Sequence, residues 1–219
     1  NYLNACFAAG NLKPFALLLQ KARQIPATNR DEEGEDWQNL IHLELIYLSN
    51  TGQLEQATAL STQIEKGLAL YRHKVNNARR LALYYNMAAA YFVSANWSSA
   101  LDYYNQIVLD KTDARQDLKD AAELLILAAH YELKNYDVVD YLLRNTERRF
   151  ATAGKKEDYK LFFKFLRSLL KNETTVLNAE AETLNLLLAR HSELQCWLQA
   201  KQQKKEIEKV FRQTMLAAI

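Results

Sequence analysis

Residues 83–108 read LYYNMAAAYFVSANWSSALDYYNQIV, with three alanines set between pairs of aromatic rings. Tyr84, Met87, Ala88 and Tyr91 stand at i, i+3, i+4 and i+7, the spacing of one helical face. Ala95-Asn96 interrupts the pattern, and Ala100, Leu101, Tyr104, Ile107 and Val108 then trace a second face. Two amphipathic helices joined by so short a turn pack antiparallel. Ala88 and Ala100 let the backbones approach, while Tyr84, Tyr91 and Tyr104 fill the volume beside the contact. One such hairpin cannot bury its whole apolar surface, so neighbours of the same build are expected.

The turn signal recurs as Gly10-Asn11-Leu12, Gly52-Gln53-Leu54, Ala95-Asn96-Trp97 and Lys134-Asn135-Tyr136, about 40 residues apart. The small slot of each second helix then holds Phe15, Ala57, Ala100 and Val139, and the aromatic slot Leu19, Ser61, Tyr104 and Leu143. Helices are expected over 13–24, 37–50, 54–66, 77–94, 97–109, 117–134, 137–150, 157–171, 176–190 and 192–203. A truncated helix over 2–9 precedes them. Residues 25–36, with Pro26 and the acidic run DEEGED, read as a solvated loop. Ile207, Val210 and Phe211 give the last segment an apolar stripe, expected to cap the end of the array.

Five glycines and two prolines in 219 residues are too few for the turns of an extended sheet, which points to an all-α chain. At 49% hydrophobic it can bury a sizeable core. A net charge of +2 does not by itself indicate nucleic acid. No run approaches the length of a membrane span. Cys6 and Cys196 lack disulfide or metal spacing, which suits a reducing, cytoplasmic setting. The chain opens on Asn1 inside a helical pattern and reads as a fragment, so targeting signals could lie outside it.

No sequence motif for catalysis, metal or cofactor emerges. His42, His73, His130 and His191 have no ligand arrangement at helical spacing, and no phosphate-cradling glycine loop or nucleophile motif is present. Acidic pairs such as Glu32-Glu33 have no converging partner. Basic residues cluster at Arg72–Arg80 and Arg144–Arg149, yet no polar pair recurs at matched slots as in helical-repeat RNA readers.

Tyr84, Met87, Ala88, Tyr91, Ala100 and Tyr104 stand at the signature spacings of the tetratricopeptide repeat (TPR), which this unit resembles; Thr112 replaces its proline. The period exceeds the ~34 residues of that family and approaches the HEAT range; longer helices and loops account for the excess, with HEAT as the alternative. The resemblance implies a right-handed solenoid of antiparallel hairpins over residues 1–171, the first repeat truncated, and a helical extension or cap over 172–219. It further implies a protein-interaction scaffold, without catalysis, whose concave groove takes a peptide or protein. Carried over slot by slot, the groove comprises His42, Ile46, Tyr85, Ala89, Phe92, Val93, Leu124, Ala128 and Tyr131. The slots with which some TPR proteins clamp acidic C-terminal tails match only at Asn86, so an apolar or amphipathic partner is expected. These rings could instead pack against the chain's own C-terminal helices. A regulatory or sensor segment of a longer signalling protein is the alternative function, with RNA binding behind it.

Overall fold

Helix follows helix in the computed structural model, which describes residues 14–171, 183, 184, 188 and 191–217. The elements are α1 (Phe15–Arg23), α2 (Arg30–Asn50), α3 (Leu54–Ala59), α4 (Ser61–Leu70), α5 (Asn77–Val93) and α6 (Trp97–Val108). After them come α7 (Gln116–Glu132), α8 (Tyr136–Thr152), α9 (Lys156–Leu170), α10 (Ser192–Gln203) and α11 (Ile207–Ala217). Among the described residues there is no strand. The expected helix over 2–9, the turn at Gly10-Asn11-Leu12 and most of 176–190 lie outside the described residues.

The recurring turn signal corresponds to one backbone device. Gly52, Ala95 and Lys134 each adopt a left-handed conformation, with φ of 70°, 57° and 61°. The next N–H in each case reaches back five residues: Gln53 to Leu48 O at 2.8 Å, Asn96 to Tyr91 O at 2.9 Å and Asn135 to His130 O at 3.0 Å. This is the Schellman closure, which satisfies the last carbonyls of one helix and reverses the chain. The same closure recurs at Gly154-Lys155 and Lys204-Lys205, ending α8 and α10.

Ring contacts fix the direction of the central hairpin. Phe92, beside the turn, meets Trp97, whereas Tyr85, two helical turns further away, meets Tyr104. The two helices therefore run antiparallel. The periodic small slots are core positions: Phe15, Ala57, Ala100 and Val139 are all fully buried. α5 packs on α6, α6 on α7, α7 on α8 and α8 on α9, while α5 adjoins α2 on one side and α7 on the other. α1 joins through Phe15, stacked 4.9 Å from Tyr47 of α2.

Three expectations are corrected. The acidic run at 31–36 is the opening of α2, not a loop. Asn29 caps the helix by accepting from the backbone N–H groups of Asp31 (3.0 Å) and Glu32 (2.9 Å), and Glu32 reaches back to the Thr28 N–H at 2.6 Å. Carboxylates in a first turn also suit the positive end of the helix dipole. Gly34 is buried beneath the Tyr71 ring, where an added Cβ would sit 3.1 Å from Cδ1, so this glycine serves a close approach rather than a turn. The expected helix over 54–66 is divided at Leu60 into α3 and α4.

The third correction concerns the C-terminus. α10 and α11 do not follow α9 as the next layer of the stack. They form a pair that folds back, with α10 against α5 and α7 and α11 against α5. Arg212 of α11 donates to Gly52 O and pairs with Glu55, which ties the pair to the α2–α3 turn. The stripe of Ile207, Val210 and Phe211 is buried in this seat.

Candidate interaction face

The first helices of successive hairpins, α2, α5 and α7, make one continuous face, and the expected groove residues distribute along it unequally. His42 and Ile46 come from α2, Tyr85, Ala89, Phe92 and Val93 from α5, and Leu124, Ala128 and Tyr131 from α7. Phe92 points into its own hairpin, edge-on to Trp97 and Tyr104 at 4.9 and 6.3 Å, so it is core and not groove. Leu124 and Ala128 are fully buried and Val93 nearly so. Ile46, Ala89 and Val93 line a cavity of about 70 Å³ closed by Phe211 and Met215 of α11. Tyr85 and Tyr131, both half-buried, meet α10 through Glu193 and Trp197. The sequence left two alternatives, a groove open to a partner or one filled by the chain's own C-terminal helices, and α10 and α11 lie against this face.

Trp197 anchors α10. Its ring is almost wholly buried, edge-on to Tyr131 of α7 at 6.1 Å and to Phe165 of α9 at 5.8 Å. The indole N–H donates to Glu132 Oε1 at 2.6 Å. Lys201, one turn on, brings its ammonium to the same oxygen at 2.5 Å and stands 5.4 Å from the Tyr131 ring. Leu194 and Leu198 are buried on the same stripe. Trp197 was not among the residues that spacing placed on this face. Its signal was the i, i+3, i+4, i+7 series Leu194, Trp197, Leu198, Lys201.

At the start of α10, Glu193 accepts from the Tyr85 hydroxyl at 3.3 Å. Burial, partly offset by hydrogen bonds, holds the Glu193 carboxyl above the usual glutamate range. Burial, reinforced by the Glu193 charge, pushes the Tyr85 phenol well above its ordinary value. Beside them a cavity of about 370 Å³ is lined by polar groups, among them Asp117, Asp120, Tyr159 and His191.

On α2 the polar end of the face is organised by Arg79. Its Nη1 lies 2.8 Å from His42 Nδ1, and its Nη2 donates to Asn39 Oδ1 at 3.2 Å. A guanidinium only donates, so Nδ1 is the acceptor and Nε2 carries the ring proton. The Asn86 amide nitrogen lies 3.1 Å from Nε2, and turning that amide by a half-rotation puts its oxygen there to accept from the ring N–H. Burial first, then the charges of Arg79 and Arg115, pushes His42 down to about 4, so the ring is neutral at pH 7.

Among the described residues, no three His, Cys, Asp or Glu side chains gather as a metal site, and no helix is long and apolar enough to cross a membrane. No family model, curated protein or solved structure matches the chain.

Proposed function

We propose that the chain is a TPR-like, right-handed solenoid of helical hairpins serving as a protein-interaction scaffold, without catalysis or cofactor. It takes an amphipathic segment of a cytoplasmic protein partner on the face of its first helices. The observation that carries this reading is that α10, an amphipathic helix, is seated across α5 and α7 by a buried aromatic anchor. Helix-in-groove recognition works through the same elements: apolar anchors at helical spacing, and a few charges that set the register. The shared Schellman turns and the burial of every small slot support a repeat architecture.

The regulatory reading draws on the same helix, because a face covered by its own chain can be switched by uncovering it. Photocrosslinking tests the scaffold. A photoreactive residue at Asn50, on the rim of the face, is expected to capture a discrete protein from the source cell, and one at exposed Asp102 on α6 to capture none. Equal labelling from the two positions would overturn the assignment of the face.

A further inference from the structure

We infer that α10 is a displaceable occupant of the interaction face, and that the partner replacing it is an amphipathic helix bearing the same stripe. That stripe is an aliphatic residue, an aromatic anchor three positions on, a second aliphatic beside it, and a basic side chain one turn after the anchor. In this chain those positions are Leu194, Trp197, Leu198 and Lys201. The inference rests on the scaffold reading above and narrows it to one class of ligand.

The seam under the C-terminal pair has an apolar centre and a polar margin. Leu194, Trp197, Leu198 and Phe211 are buried in its centre, continuous with the core of α5, α6 and α7, while Glu132, Lys201, Glu193 and Tyr85 meet along its edges. Three side-chain polar atoms are shut off from solvent without a hydrogen-bond partner among the described residues: Ser49 Oγ, the Tyr104 hydroxyl and Gln202 Nε2. Two of the three adjoin the C-terminal pair: Ser49 lines the cavity closed by Phe211, and Gln202 belongs to α10. The Tyr104 hydroxyl lies in the α5–α6 seam, where its ring meets Tyr85 and Phe92. The partly buried Glu193 and the two cavities flanking it lie on the same seam. Polar, incompletely packed contacts are characteristic of exchangeable interfaces, whereas permanent cores are dry and dense.

The bed itself selects the ligand. Glu132 receives both the indole N–H and the ammonium of α10, and Tyr131 offers its ring to that ammonium. With α10 lifted away, a carboxylate flanked by Tyr131 and Phe165 would be open to an aromatic residue followed by a cation. An acidic helix would be repelled. A tethered occupant lowers the apparent affinity for any free competitor by the fraction of time the bed is open.

The test uses the whole chain and a labelled synthetic peptide of residues 191–205 as probe. Lys201→Glu leaves the array core untouched and sets a like charge against Glu132, so it is expected to bind the peptide about ten-fold or more tightly than the native chain does. The same peptide carrying Glu at the lysine position should bind neither chain, and should bind a Glu132→Lys chain. If Lys201→Glu does not fold, as read by circular dichroism, Trp197→Phe provides the milder opening and is expected to shift affinity in the same direction. Equal peptide binding by native and opened chains, or none by a folded opened chain, would overturn the inference. Crosslinking at Asn50 that still captures a protein would then leave the scaffold reading standing, whereas loss of both would remove it.

Discussion

Phe92 and Ile46 both occupy groove slots by spacing, but only one of them can be altered without cost to the core. Phe92 is fully buried between Trp97 and Tyr104, so Phe92→Ser removes a packed ring and leaves a hydroxyl in a dry site. A loss of about 3–5 kcal/mol is expected in urea unfolding. Ile46 is only partly buried, and Ile46→Ser is expected to cost about 1–2 kcal/mol. His42 supplies a pH signature. Its folded value of about 4 lies below the ordinary 6.5, so between these limits the unfolded chain takes up a proton that the folded chain refuses. This contribution to stability is complete above pH 6.5 and is lost as pH falls towards 4. Relative to His42→Gln, the native chain should lose on the order of 3 kcal/mol between pH 7 and pH 4, read from paired unfolding curves. The His42 ring should titrate near 4 by NMR.

At the scale of the element, the turns make the clearest demand. Ala95 holds a left-handed φ of 57° that glycine adopts without a Cβ penalty, and it is exposed. Ala95→Gly is therefore expected to stabilise the chain by about 0.5–1 kcal/mol, seen as a higher melting midpoint. The central hairpin was legible because its two apolar faces, its small residues and its turn all point to one packing. The start of α2 was not. Asp31, Glu32, Glu33 and Gly34 have the composition of a solvated loop, and what turns them into helix is a single capping side chain, Asn29, with its bond back from Glu32 to Thr28. The break at Leu60 was equally hidden, since apolar spacing continues through it.

Across the whole molecule, sequence periodicity revealed which helices are amphipathic but not which surface each one meets. The stripe of α10 could have faced an end, a partner or the array, and only three-dimensional packing places Trp197 beside Glu132, 65 residues away. For the same reason periodicity marked the face but left its occupant open between a partner and the chain's own C-terminal helices, and it did not separate Phe92, a core ring, from the rest. The polar seam predicts uneven stability. Amide hydrogens of α10 and α11 should exchange with deuterium faster than those of α5, α6 and α7. Arg212→Ala removes the donor to Gly52 O and the pair to Glu55, and should speed exchange in α11 while α6 is unchanged. Uniform exchange across these helices would argue for a single cooperative unit.

The indole of Trp197 has a photophysical consequence. It is shielded by Tyr131 and Phe165, and its N–H is held by a carboxylate at 2.6 Å. Its emission should therefore lie to the blue of a hydrated tryptophan and change when α10 lifts. With Trp37 and Trp97 replaced by phenylalanine, Trp197 becomes the sole tryptophan of the chain, and excitation beyond the tyrosine band reports it alone. A partner that enters the bed would shift its spectrum to longer wavelength, while one that docks on the outer helices would leave the colour unaltered.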